Sequence, residues 1–126
     1  MAEVLVVEDE ESMLHALRYN LLRAGHDVRL CTDGHQALDL VRAQPPDVLL
    51  LDLMLPKTSG NLLLKKIRGL SCFKDLPIVA FTNAFVLQMV QDALRAGATK
   101  VYDKSSMTRL MLIEAFRGET EKEVAQ

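Results

Sequence analysis

The chain has 126 residues, enough for one domain with a real core and too few for two ordinary ones. Its 17 acidic residues against 15 basic ones give a net charge of −2, which offers no reason to expect direct nucleic-acid binding; the lack of tryptophan argues against base-stacking platforms. Hydrophobic residues make up 49%, yet no apolar run approaches the ~20 residues of a membrane span, so no membrane partner is expected. Met1-Ala2-Glu3 is acidic and enters an apolar run at once, so the expectation is no secretory signal and a cytoplasmic setting. Cys31 and Cys72 lie far apart and are read as buried, reduced thiols.

Strands and helices alternate along the chain. Val4-Leu5-Val6-Val7 is a first strand running into Glu8-Asp9. Helical spacing of Leu14, Leu17 and Leu21 predicts a helix from about Glu10 to Ala24, with Gly25 placed to stop it. Asp27 to Thr32 alternates as a short second strand. Asp33-Gly34 is a turn, and Ala37, Leu38 and Val41 mark a second helix that Pro45-Pro46 breaks. Val48 to Asp52 is the third strand. A loop through Pro56 and Gly60 leads to a helix carrying Leu63, Leu64 and Ile67. Pro77 to Phe81 is the fourth strand and Ala84 to Ala96 the fourth helix, ended by Gly97. Lys100 to Asp103 is the fifth strand, and a last helix is expected from about Met107 towards Arg117.

Five βα units predict an α/β fold, a doubly wound five-stranded parallel sheet of flavodoxin-like (βα)5 type, with strand order 2-1-3-4-5. Right-handed crossovers then set strands one and three side by side. Residues 1–117 are expected to form the domain, and 118–126 a charged tail or the start of a linker.

That order brings carboxylates together. Ligands bind at the carboxyl ends of strands in an open parallel sheet. Glu8 and Asp9 from strand one would meet Asp52 from strand three there. Three such anions repel unless a cation sits between them or one is protonated, and all-oxygen ligands suit Mg²⁺ better than zinc. Thr82 after strand four and Lys104 after strand five reach the same rim. The set is chemically coherent: an aspartate can attack a phosphoryl group and become an acyl phosphate, while a metal and an ammonium neutralise the transferred charge. Each residue alone has an ordinary role open to it. Asp52 could cap a turn, Glu8-Asp9-Glu10-Glu11 could load a helix N-terminus, Thr82 could cap helix four, and Lys104 could be a surface lysine. Their joint placement favours the site. His15, His26 and His35 lack metal-ligand spacing and are read as structural.

With these motifs in order, residues 3 to 117 resemble the response-regulator receiver family of two-component signalling. The resemblance rests on Val4-Leu5-Val6-Val7-Glu8-Asp9, on Asp52-Leu53-Met54-Leu55-Pro56 with Gly60, and on Thr82, Ala96-Gly97-Ala98 and Lys104 in sequence. It implies a phosphoacceptor at Asp52, with a histidine kinase or histidine phosphotransfer protein as donor. It implies Mg²⁺ held by Asp9 and Asp52, Glu8 acting largely through water, and the Met54 backbone carbonyl completing the protein ligands. Thr82 and strand five would shift to signal phosphorylation to a downstream protein or an attached output domain. The chain would be regulatory, assisting its own phosphorylation and dephosphorylation, not an enzyme acting on other molecules.

Three positions depart from the family pattern. Val101 stands where an aromatic residue is usual, with Tyr102 displaced by one and so on the other strand face; Tyr102 is not expected to replace it. Ser105 follows Lys104 where a cis proline is usual, and a trans bond is expected because a cis bond without proline costs about 3 kcal/mol. Asn83 follows Thr82 in place of a very small residue, and its amide would crowd the phosphoryl site or hydrogen-bond to it; with Met54 and Ala84 also nearby nothing evident positions a hydrolytic water, so a long-lived phosphoryl group is expected. Phe85 and Met89 on helix four are expected to form an apolar patch, with denser packing the alternative; Met111 and Leu112 lie beside the core stripe of helix five. A homodimer through helices four and five is one use of such a surface.

Other functions fit less well. A receiver-like module that no longer uses phosphorylation keeps Val101, Asn83 and Ser105 in its favour. A Mg²⁺-dependent aspartyl phosphatase commonly has a second Asp two residues after the first, where Met54 stands. A flavin carrier needs a phosphate cradle where Glu8-Asp9-Glu10-Glu11 would repel it.

Overall fold

The computed structural model describes residues 2–107. Its five parallel strands are β1 (Glu3–Val7), β2 (Asp27–Cys31), β3 (Val48–Asp52), β4 (Ile78–Thr82) and β5 (Lys100–Asp103), in the order β2-β1-β3-β4-β5. The expected sheet order is the observed one. Between the strands run α1 (Glu11–Arg23), α2 (Gly34–Ala43), α3 (Gly60–Arg68) and α4 (Leu87–Ala96). The expected last helix lies outside the described residues.

Burial follows the pattern of a covered parallel sheet. Every residue of β3 and β4 is buried, whereas the edge strands β2 and β5 are mostly half-buried. Side chains alternate between two cores. Leu5, Val7, Leu49, Leu51, Ile78 and Ala80 pack with Ala37 and Val41 of α2, Leu63, Leu64 and Ile67 of α3, and Ala93 and Ala96 of α4. On the other face Val4, Val6, Leu50, Val79 and Phe81 pack with Leu14, Leu17 and Leu21 of α1. Gly25, just past α1, takes φ 91°, the left-handed stop expected of it.

Helix α4 begins three residues later than its hydrophobic spacing suggests. The Thr82 hydroxyl accepts from the Ala84 N–H at 3.0 Å, the Val86 N–H donates to the Ala84 carbonyl at 2.8 Å, and Val86 (φ −118°, ψ 156°) is extended just ahead of the helix. Thr82 thus caps a turn, not the helix, and lies inside β4 in register with Asp103. The apolar patch moves accordingly. Phe85 is off the helix and Met89 packs partly against the core; the exposed apolar residues there are Phe85, Val86, Leu87 and Leu94. Both cysteines are free thiols, but only Cys31 is buried; Cys72 is exposed in a short 3₁₀ turn.

Two contacts lock the helices that flank the site. Arg68 at the end of α3 donates from Nε to the Gly97 carbonyl at 2.8 Å and from an Nη to the Phe73 carbonyl at 2.7 Å, tying α3 to the end of α4. Gly60, at the start of α3, sits so close to the end of β3 that a Cβ there would be 2.5 Å from Leu53 Cα and 3.1 Å from the Asp52 carbonyl oxygen. Backbone cannot yield as a flexible side chain can. Gly60→Ala is therefore expected to cost about 1–3 kcal/mol, read as a lower urea midpoint; an unchanged midpoint would show that α3 can move off the strand.

Candidate functional site

The carboxyl ends of β1, β3, β4 and β5 form one rim, as their register requires: Val7 pairs with Leu51, Asp52 with Phe81, and Thr82 with Asp103. Carboxylate oxygens of Glu8, Asp9 and Asp52 all lie within 4.8 Å of one another. Glu8 and Asp52 are buried and Asp9 is exposed. The three acids expected to converge do so, and Lys104 joins them.

Lys104 binds the cluster together. Its Nζ lies 2.9 Å from Glu8 Oε2, 3.1 Å from Glu10 Oε2 and 3.4 Å from Asp52 Oδ2. Burial works against the ammonium, but Glu8, Glu10 and Asp52 outweigh it and hold its pKa well above the usual lysine value. Glu10 is the residue missed in the sequence. Its neighbours suggest helix-end charge, and only the fold shows that it reaches a lysine on β5's far end. Lys104 lowers the Glu10 pKa.

Glu8 is fully enclosed. Its Oε1 accepts from the backbone N–H groups of Asp9 and Glu10 at 2.9 and 3.0 Å, which fixes the turn into α1. Its Oε2 has the Lys104 ion pair but no aligned hydrogen bond. Burial raises its pKa to about 7, against the lowering effect of the Glu10 N–H and Lys104. An unfolded chain releases this proton near 4.5. Between those values the folded state holds more protons, so this group's contribution to stability falls as pH rises through the interval, by on the order of 3 kcal/mol. In metal-free buffer the melting temperature of wild type relative to Glu8→Gln is expected to decline from about pH 5 to about pH 8. A difference that stays constant or grows over the window would contradict this.

Asp52 is held by its own loop. The Met54 N–H donates to Oδ1 at 2.9 Å, and Oδ2 faces Lys104. Met54 is half-exposed beside it and bridges antiparallel to Ser59. Thr82 is fully buried, and since its oxygen accepts from Ala84, its hydroxyl hydrogen is left to donate elsewhere. Asn83 is exposed.

The departures on β5 have a structural form. Val101 packs into the core beneath α4, and Tyr102 packs on the α1 face, so the two point to opposite sides of the sheet. No peptide bond among the described residues is cis, so Lys104–Ser105 is trans. Asp103 Oδ1 accepts from the Ser105 N–H at 3.0 Å and its Oγ at 2.9 Å, closing a 3₁₀ turn over Lys104–Ser106. Proline could not supply that N–H.

The three histidines lie outside the carboxylate cluster. His26 Nδ1 accepts from the Ala2 N–H, His35 Nε2 lies 3.0 Å from Thr58 Oγ1, and His15 sits 3.8 Å from Glu11 on the surface of α1.

The donor set fits a hard divalent cation. Three carboxylates meet at one point, and Glu8 Oε2 is a buried oxygen without an aligned hydrogen bond. All-oxygen ligation of this kind matches Mg²⁺.

Comparison with known proteins is consistent with that geometry. The model of the response regulator receiver domain matches residues 4–116. The response regulator MprA of Mycobacterium tuberculosis is 38% identical over 95 residues, which cover 75% of this chain and 40% of that protein. The alkaline phosphatase synthesis transcriptional regulatory protein PhoP of Bacillus subtilis is 46% identical over 66 residues, 52% of this chain and 28% of that protein. The chain thus spans less than half the length of these curated relatives. Among solved structures, a response regulator protein from Burkholderia multivorans superposes with TM-score 0.80 at 29% identity, covering 95% of this chain and 96% of that one. The chemotaxis response regulator CheY4 of Vibrio cholerae gives TM-score 0.85 at 28% identity, covering 93% and 97%.

Proposed function

Because the chain belongs to the response regulator receiver domain family, we propose that it accepts a phosphoryl group on Asp52 from a phosphohistidine of a histidine kinase or phosphotransfer protein. The observation that carries this reading is the meeting of Glu8, Asp9 and Asp52 within 4.8 Å, with Lys104 against the acceptor.

Asp9 and Asp52, with Glu8 behind them and the Met54 carbonyl beside them, would hold Mg²⁺, whose charge would offset that of the phosphoryl oxygens. An Asp52 oxygen attacks phosphorus, and the bond from phosphorus to the donor breaks with its electron pair leaving on the donor. Lys104 then pairs with a phosphoryl oxygen, and the Thr82 hydroxyl donates to another. These new bonds favour one conformation over another only through contacts that differ between the two. Thr82 and Asp103 are adjacent in the sheet, so a shift at Thr82 is passed directly to β5 and to the face it shares with α4. A downstream protein, an attached output domain or a second copy would read that face. Met54 and Ala84 carry no side-chain group to direct a hydrolytic water, and the Asn83 amide would crowd the phosphoryl group or hydrogen-bond to it, so the adduct is long-lived.

Residues 1–117 form the receiver in this reading, 118–126 a charged tail or linker start, and the setting is cytoplasmic. Intact-mass measurement after incubation with acetyl phosphate and Mg²⁺ tests it. One added phosphoryl group per chain is expected, and an unmodified protein would contradict the reading.

A further inference from the structure

We propose that Glu10 is a positioning residue that occupies Lys104 in the resting protein and thereby slows entry of the phosphoryl group, an inference that rests on Asp52 being the acceptor. An ammonium has three N–H donors. Three carboxylates surround Lys104 Nζ at 2.9, 3.1 and 3.4 Å, and the lysine side chain is only 9% exposed. A phosphoryl oxygen therefore competes with three carboxylates for the Lys104 charge until one of them withdraws.

The three are not equally free to do so. Glu8 is sealed in, with its other oxygen fixed by two backbone N–H groups. Asp52 is the group being modified and stays in place. The Glu10 side chain is 54% exposed, so water can solvate it on release. Its second oxygen accepts from Ser12 Oγ at 3.0 Å, which steadies it over the lysine. Glu10 is thus the one solvent-exposed carboxylate of the three around Lys104.

With acetyl phosphate as donor, an Asp52 oxygen bonds to phosphorus as the bond from phosphorus to the acetyl oxygen breaks, and acetate leaves with the electron pair. Lys104 can take up the charge on the transferred oxygens only after Glu10 has let go. Removing Glu10 from Lys104 abolishes that prior step. The gain expected is about three- to tenfold in rate, the size of one unit-charge contact near a wet surface.

The test compares wild type, Glu10→Gln and Glu10→Asp, each at saturating Mg²⁺, by the rate of phosphorylation per unit acetyl phosphate. Gln removes the charge. Asp keeps it but falls one methylene short of Lys104. Both variants are expected to be labelled about three to ten times faster than wild type, with thermal melting of the two unchanged in shape. Equal rates for all three would overturn the proposal. So would acceleration in Gln alone, which would mean that Glu10 repels the donor instead of occupying Lys104. A wild type not labelled at Asp52 at all would remove the acceptor assignment itself, a result distinct from either.

Discussion

Asp52→Asn is expected to abolish phosphoryl acceptance completely while leaving the fold intact. The side chain is buried at the end of β3, with Oδ1 held by the Met54 N–H and Oδ2 facing Lys104. Asparagine has the same shape, and its amide oxygen can keep the Met54 bond. What it lacks is a nucleophilic carboxylate oxygen, so no acyl phosphate forms. Circular dichroism should match wild type, while intact mass after acetyl phosphate and Mg²⁺ should show no adduct. An adduct of wild-type yield on the variant would place the acceptor elsewhere.

Lys104→Ala has the second large effect, on stability. It removes the cation from among Glu8, Glu10 and Asp52 and leaves Glu8 buried without a counter-charge. Removing one partner of a buried pair costs about 3–5 kcal/mol. Wild-type Glu8 keeps its proton to about 7, so it is charged beside Lys104 only above that value, and without Lys104, which lowers it, the proton stays on longer. The loss should therefore be larger at about pH 8 than at about pH 6. Urea denaturation without divalent metal at the two pH values measures it. A loss below about 1 kcal/mol, or one equal at both, would mean that the lysine does not neutralise the rim.

The parts of the molecule readable from sequence are those set by short-range pattern. β3 was legible to the residue because an unbroken apolar run buried on both faces ends in Asp52. The α1 stripe of Leu14, Leu17 and Leu21, and the left-handed Gly25, were equally plain. The start of α4 was not, because the chain turns between Thr82 and Val86, where the Val86 N–H takes the Ala84 carbonyl that would have opened the helix, and a hydrophobic periodicity carries no record of such a bond. The apolar patch moved from Phe85 and Met89 to Phe85, Val86 and Leu87 for the same reason. Cys72 was misjudged because free cysteine is usually buried, and here a surface 3₁₀ turn carries it.

At the site, the identities of Glu8, Asp9, Asp52, Thr82 and Lys104 followed from strand ends and strand order. Their electrostatics did not. That Glu8 is sealed off and Asp9 open depends on the turn closed by the Glu8 carboxylate over its own neighbours' N–H groups. That Glu10 reaches Lys104 depends on the meeting of two loops from opposite ends of the described chain. Contacts of that range appear only once the sheet is assembled.

A calorimetric titration of Mg²⁺ into the protein addresses the site most directly. Wild type should take up one ion per chain in a saturable step, and Asp9→Asn and Asp52→Asn should each weaken that step strongly. No heat of binding in wild type, or binding that both substitutions leave unchanged, would show that these carboxylates do not form a metal site.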